Sequence, residues 1–328
     1  MQEEDGATTV VDGAELWMAL SAPAVGHPEE RHDRARLRLF ARTADQWRDL
    51  GPVFAAGTSP GSREWSGSAV RRPDGTISVF YTAAGLRGQD RPTFHQCVVE
   101  ARARLTAADG VTGLGRDVEH RVVLRADDPY LPADDIEGGP GRIRAFRDPG
   151  WFRDPEDGHE YLLVAASVPG RDRFTGAVAI ARGNGAGWTL LPPLLVSSDV
   201  NHEIERPHVV VHDGRYHLFF CTNGQSFHPE SNAPTGLYGF VAPALAGPYE
   251  PLNGSGLVIR NPPAQPDQAY AWLVLPDLSV ESFVNYLSGA GEDLRLAGPE
   301  TARACFGGTP APTLSLVLHG TATTLCGR

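Results

Sequence analysis

The chain has only two methionines and four cysteines in 328 residues, and no run of 18 apolar residues. The missing apolar run excludes a membrane-spanning helix. Cys97, Cys221, Cys305 and Cys326 show no C-x-x-C spacing and no histidine ladder, which speaks against a zinc site or a disulfide framework. They read as reduced structural thiols. Basic residues are also scarce, 29 against 40 acidic, for a formal charge of −11. That charge excludes nonspecific attraction to nucleic acid polymers or anionic membranes, and a neutral or cationic small molecule is the expected partner. The start, Met1-Gln2-Glu3-Glu4-Asp5-Gly6, is acidic where a secretion signal is basic and then apolar, so a cytoplasmic location is expected. The acidic loops Asp127-Asp128 and Asp134-Asp135 lack a calcium-loop pattern and read as solvated surface; neither metal nor cofactor is expected.

Long periodic helices are absent too, whereas 37 glycines and 27 prolines point to short elements joined by many turns. Three segments repeat one design, an apolar-alternating run, an Asp-Gly turn and a second apolar run. They lead through Pro73-Asp74-Gly75 to Ile77–Tyr81, through Glu156-Asp157-Gly158 to Tyr161–Val164, and through Asp213-Gly214 to Tyr216–Phe220. Each predicts a β-hairpin. Hairpins recurring at irregular intervals suggest radially arranged sheets, as in a propeller, rather than a short-repeat solenoid. The segment Gln96–Leu105 is open to helix or strand, and Cys97-Val98-Val99 favours strand. Neither loop-rich stretch, Arg125–Arg142 or Ser226–Thr235, resembles an interdomain linker, so a single domain over residues 1–328 is expected.

Three clusters carry possible chemistry. Arg63-Glu64-Trp65-Ser66-Gly67-Ser68-Ala69 enters the first hairpin; its Trp can stack on a sugar ring or simply cap the core. Ala145-Phe146-Arg147-Asp148-Pro149-Gly150 sets an Arg-Asp pair at a bend that opens a strand. A second copy, Arg153-Asp154-Pro155, runs directly into a turn and reads as a solvated hairpin loop. In Asn201-His202-Glu203-Ile204-Glu205-Arg206-Pro207-His208, an extended chain puts Glu203 and Glu205 on one face, roughly 6.6–6.8 Å apart, and Ile204 on the other. Crowded carboxylates beside an Arg suit one of them to general acid work; an exposed acidic edge with an ion pair is the plainer reading. His202 and His208 could align Glu205 or serve only as hydrogen-bonded structure.

In this order, Glu64-Trp65-Ser66-Gly67-Ser68, Arg147-Asp148-Pro149 and Glu203-Ile204-Glu205-Arg206 resemble the levansucrase and inulosucrase family, glycoside hydrolase family 68. Tyr81-Thr82 and the segments Gly239–Val241 and Ala246–Asn253 add to a likeness that spans about residues 16–287. The resemblance implies an all-β, five-bladed β-propeller with a central axial pocket. It further implies Glu205 as general acid/base, Asp148 as the carboxylate gripping furanose hydroxyls, Trp65 and Ser66 as the sugar-pocket wall, Glu203 and Arg147 as supporting groups, and Arg206 as a further substrate-binding residue.

The sequence departs from the family pattern twice. Family members carry a Trp-Asp element whose Asp is the nucleophile; here Leu16-Trp17-Met18-Ala19-Leu20 would align Trp17 with the Trp and put Met18, an uncharged thioether, in place of the Asp. Glu15 or Asp12 could restore an acid only with a shifted alignment. The second departure is Cys221-Thr222-Asn223-Gly224, where the family usually has an Arg near Asn223 that helps bind the second sugar. Since a retaining glycosidase needs two carboxyl groups roughly 5–5.5 Å apart, three readings follow. One is a repurposed enzyme that eliminates water from a ketohexofuranosyl small molecule such as a nucleoside. The others are a fructoside hydrolase or transferase, and a noncatalytic sugar-binding protein.

Overall fold

The computed structural model describes the chain except for residues 4–8, 12, 45, 109–110, 116–117, 139–141, 288–292 and 328. Its strands form five sheets, each built mainly from consecutive antiparallel neighbours. The first sheet holds Val10–Val11, Ala14–Ser21, Arg36–Thr43 and Gln46–Pro52; the second begins with Arg63–Arg71, the third with Phe146–Arg153, the fourth with Glu205–His212 and the fifth with Ala269–Val274. These are the blades of a five-bladed β-propeller, the fold class expected. The chain packs as two compact units: one holds the first two sheets and most of the third, the other the fourth and fifth sheets with the remainder of the third.

Turn chemistry sets the hairpins. Asp213 and Gly214 have φ of 49° and 69°, the double left-handed turn whose twist matches the strands it joins. The Asp74-Gly75 and Asp157-Gly158 turns each place the glycine at positive φ. Gln96–Ala108 is a strand, as its β-branched residues favoured. Asp154 departs from expectation: it lies in the hairpin turn, but it is buried, with Oδ1 accepting from the Glu156 amide. It caps the turn rather than facing solvent.

Apolar alternation seals the sheet faces. In the first unit, Leu37 and Leu39 of the first sheet pack with Ala69, Ile77, Val79 and Tyr81 of the second. In the second unit, Val210 and Phe219 of the fourth sheet pack with Trp272, Val274 and Leu316 of the fifth. Leu162–Ala166 is fully buried, which accounts for its unbroken apolar run. Cys97 and Cys221 are free thiols inside these clusters.

Candidate active site

Four opening strands share one irregularity near their first residues. The pairing register slips between Trp65 and Gly67, between Arg147 and Gly150, between Glu205 and His208, and between Tyr270 and Leu273. A bulge of this kind re-aims side chains and interrupts the ladder, so Pro149 and Pro207, which have no N–H, are tolerated there. Asp148, Arg206 and Ala271 take φ of 59°, 53° and 58° at these bulges, a conformation that costs a non-glycine residue roughly 1–3 kcal/mol. Gly67 is required by close approach, because a Cβ there would lie 1.9 Å from the Phe80 carbonyl oxygen.

In the first unit, Thr82 Oγ1 ties two bulges together. It accepts from the Asp148 amide at 2.9 Å and donates to the Ser66 carbonyl at 3.2 Å. Asp148 and Arg147 are buried, with Arg147 Nε 3.9 Å from Asp148 Oδ2. Trp65 is also buried: its indole N–H is donated to the His32 carbonyl at 2.9 Å, and it packs with Ala35, Ala84 and Ile143. Glu64 ties its strand to Arg36–Thr43 of the first sheet by accepting from the Leu37 amide at 2.9 Å, and burial raises its carboxyl above the usual range. Trp65, Ser66 and Asp148 thus stand at the bulged ends of adjoining strands.

Trp17 and Met18 are placed differently from the sequence expectation. Ala14–Ser21 is the second strand of its sheet, and Leu20 near its end, not its beginning, packs with Trp65. The strand therefore runs opposite to the strand that carries Trp65, so its Trp-Met pair does not match a Trp-Asp pair at the start of an opening strand. Met18 pairs with Leu39 and packs on the apolar cluster of the first and second sheets. Trp17 points to the other face, 5.8 Å from Trp47 and with Arg42 above its ring. Glu15 is on that face too, accepting from Trp17 at 3.1 Å and Arg42 at 2.7 Å. Asp12 lies outside the described residues.

In the second unit, Glu205 Oε2 accepts a short hydrogen bond from the Tyr270 hydroxyl. Burial, together with the charges of Glu205 and Glu203 and the nearby Cys221, raises the Tyr270 phenol well above its ordinary value, so it remains a donor. Sequence reasoning missed Tyr270; its signal was the alternation Ala269-Tyr270-Ala271-Trp272 after the Pro262–Pro266 loop. Glu203 is buried, accepting from Ser226 Oγ at 3.4 Å, while its carbonyl accepts from Thr222 Oγ1 at 2.8 Å. Ile204 is fully buried.

His208 fixes the bulge. The Val274 amide donates to Nε2 at 3.0 Å, so the ring proton sits on Nδ1 and is donated to the Arg206 carbonyl, also at 3.0 Å. Burial lowers its pKa to about 4, in keeping with a neutral ring. His202 Nδ1 lies 2.6 Å from the Arg173 carbonyl. Both histidines contact backbone, the structural alternative raised by the sequence. Asn223 caps a short 3-10 turn, Gly224–Ser226. Among the described residues no cluster of three His, Cys, Asp or Glu could hold a metal ion, and no helix is long and apolar enough to cross a membrane.

The levansucrase/invertase family model matches residues 1–184 and 175–327. This chain belongs to glycoside hydrolase family 68. Within the family, levansucrase LscA of Pseudomonas savastanoi pv. glycinea is 32% identical over 367 residues, covering 98% of this chain and 83% of the relative. The structure of an inulosucrase from Halalkalicoccus jeotgali bound to kestose is similar with a TM-score of 0.93 and 39% identity, covering all of this chain and 85% of that one. Bacillus subtilis levansucrase, at 22% identity and a TM-score of 0.80 over 99% of this chain and 84% of that one, supports the fold alone. Family 68 membership does not carry the exchange of Asp for Met18, because Met18 lies half-buried against the apolar cluster, in a second-position strand.

Proposed function

We propose that this protein cleaves the fructosyl bond of sucrose-type β-fructofuranosides and passes the fructosyl unit to water or a sugar hydroxyl, with Glu205 as acid/base. The observation that carries this reading is the Tyr270–Glu205 hydrogen bond between two bulged strand starts. Glu205 gives its proton to the glycosidic oxygen as the carbon–oxygen bond breaks and both electrons pass to that oxygen. The carboxylate left behind keeps the Tyr270 hydrogen bond. When water or an acceptor hydroxyl attacks, its proton returns to Glu205. Asp148, with Arg147 beside it, takes the furanose hydroxyls; Trp65 and Ser66 supply the wall, and Glu203 and Arg206 flank the acid/base.

Elimination of water from a furanosyl nucleoside is less well supported. It depends on the loss of a nucleophile at Met18, and Met18 lies half-buried against the apolar cluster instead. The names of the relatives, levansucrase and inulosucrase, favour fructosyl chemistry. The test is incubation with sucrose and with a fructosyl trisaccharide. Release of glucose, with fructose or longer fructosides, is expected; folded protein that releases nothing from either sugar overturns the proposal.

A further inference from the structure

Arg63 opens the strand Arg63–Arg71, and side chains two apart on a strand share a face, so Arg63 stands beside Trp65 while Glu64 points the other way. The register slips only after Trp65, so both belong to the regular start of the strand. The guanidinium carbon lies 5.2 Å from the Trp65 ring centroid and 5.5 Å from that of Phe94, and the two rings are 6.5 Å apart. One cation therefore joins two aromatic rings. Gly85, with φ of 72°, leaves room for it, because a Cβ there would lie 3.0 Å from Arg63 Nη1.

This cation is fully buried, with 1% of its surface exposed. Its Nη2 donates to the Thr93 carbonyl at 2.6 Å, while Nε is buried without a hydrogen-bond partner. Among the described residues no carboxylate pairs with it. Glu64, next in the chain, accepts from the Leu37 amide instead. Burial pushes the guanidinium pKa down, as it does for a cation held out of water.

Filling this space does not require a charge. An unpaired buried cation is costly, and an apolar side chain of similar length would pack there at lower cost. What an apolar side chain lacks is attraction to a ring face, which a desolvated guanidinium supplies. The edge of the indole is already tied, through its N–H, to the His32 carbonyl at 2.9 Å. Arg63 adds a hold on the face, so the ring is fixed in tilt as well as in place. We infer that Arg63 is a positioning residue for sugar binding, setting the tilt of Trp65 and through it the affinity for the furanose that this wall meets. The inference rests on the fructoside reading above and deepens it.

The test measures sucrose affinity by calorimetry in a Glu205→Gln parent, where turnover does not interfere, together with thermal unfolding. Arg63→Met removes the charge and keeps the length; it is expected to weaken sucrose about tenfold while the melting temperature stays within about 3 °C of the parent. A packing role alone would lower the melting temperature and leave affinity unchanged. Arg63→Gln, which keeps a donor for the Thr93 carbonyl, decides the matter if the methionine variant does not fold. In a Trp65→Phe background, which shrinks the ring that the cation meets, Arg63→Met is expected to cost about threefold or less, because the two residues act together. Unchanged affinity, an undiminished loss in the Trp65→Phe background, or a parent that binds no sucrose overturns the inference. Wild type that leaves sucrose uncleaved while the affinity loss and the coupling persist removes the cleavage reading and supports the role of Arg63.

Discussion

Tyr270 and Glu205 open neighbouring sheets, and the phenol of one donates to the carboxylate of the other. A charge-assisted bond of this kind contributes roughly 1.5–3 kcal/mol. Tyr270→Phe keeps the ring that meets Trp272 edge-on at 6.0 Å while deleting the donor. A fall in kcat of roughly tenfold to a hundredfold is expected. A donor to the carboxylate favours its ionised form, so losing that donor moves the alkaline limb of the pH–rate profile to higher pH. Steady-state kinetics across pH check both effects. A structural role alone would leave that limb in place.

Thr82 performs the corresponding task in the first unit, joining the Ser66 carbonyl to the Asp148 amide. Thr82→Val preserves shape but leaves a buried N–H unpaired, at a cost of about 1–3 kcal/mol, and loosens the left-handed backbone of Asp148. The expected outcome is a raised KM for fructosides with a smaller change in kcat, largely restored in Thr82→Ser. Kinetics of the two variants check it.

Met18 supplies a negative prediction. Met18→Asp puts a carboxylate at a half-buried position against Leu39 and the adjoining apolar cluster, which lowers stability by about 1–3 kcal/mol, whereas Met18→Leu changes it by less than about 1 kcal/mol. Thermal denaturation checks the difference. Sucrose cleavage should not improve in Met18→Asp, because this position faces the first-to-second sheet packing.

The placement of Met18 illustrates what could be read beforehand. Asp-Gly turns and alternating apolar runs announced the hairpins, since a period of two and a left-handed turn are local properties. The Trp65, Asp148 and Glu205 clusters were legible because each combines a charged or aromatic residue with a bend at a strand start. Neither a strand's direction nor its rank in a sheet is written in its alternation, so Leu16-Trp17-Met18 looks like the start of an opening strand although it lies in a second one. The positive φ at Asp148 and Arg206 was hidden too, because a residue before proline ordinarily reads as extended. Tyr270 acquires its role only through a partner 65 residues away.

His208 makes stability depend on pH. Its folded pKa is about 4, against about 6.5 in the unfolded chain. Between these values the unfolded chain binds a proton that the folded one excludes. The His208 contribution is therefore complete above about pH 6.5 and is lost as pH falls to about 4, by at most about 3 kcal/mol. His208→Gln, which can still accept from Val274 and donate to Arg206, should flatten that part of the curve. Urea unfolding of both proteins at pH 7 and pH 4.5 checks it.

The claim that Glu205 protonates the leaving oxygen is tested most directly by comparing wild type with Glu205→Gln on sucrose and on fructosyl fluoride, whose leaving group needs little help from an acid. Sucrose turnover should fall by at least about a hundredfold, while fluoride release stays within about tenfold of wild type. Equal losses on both substrates, or unchanged cleavage of sucrose, would contradict the assignment.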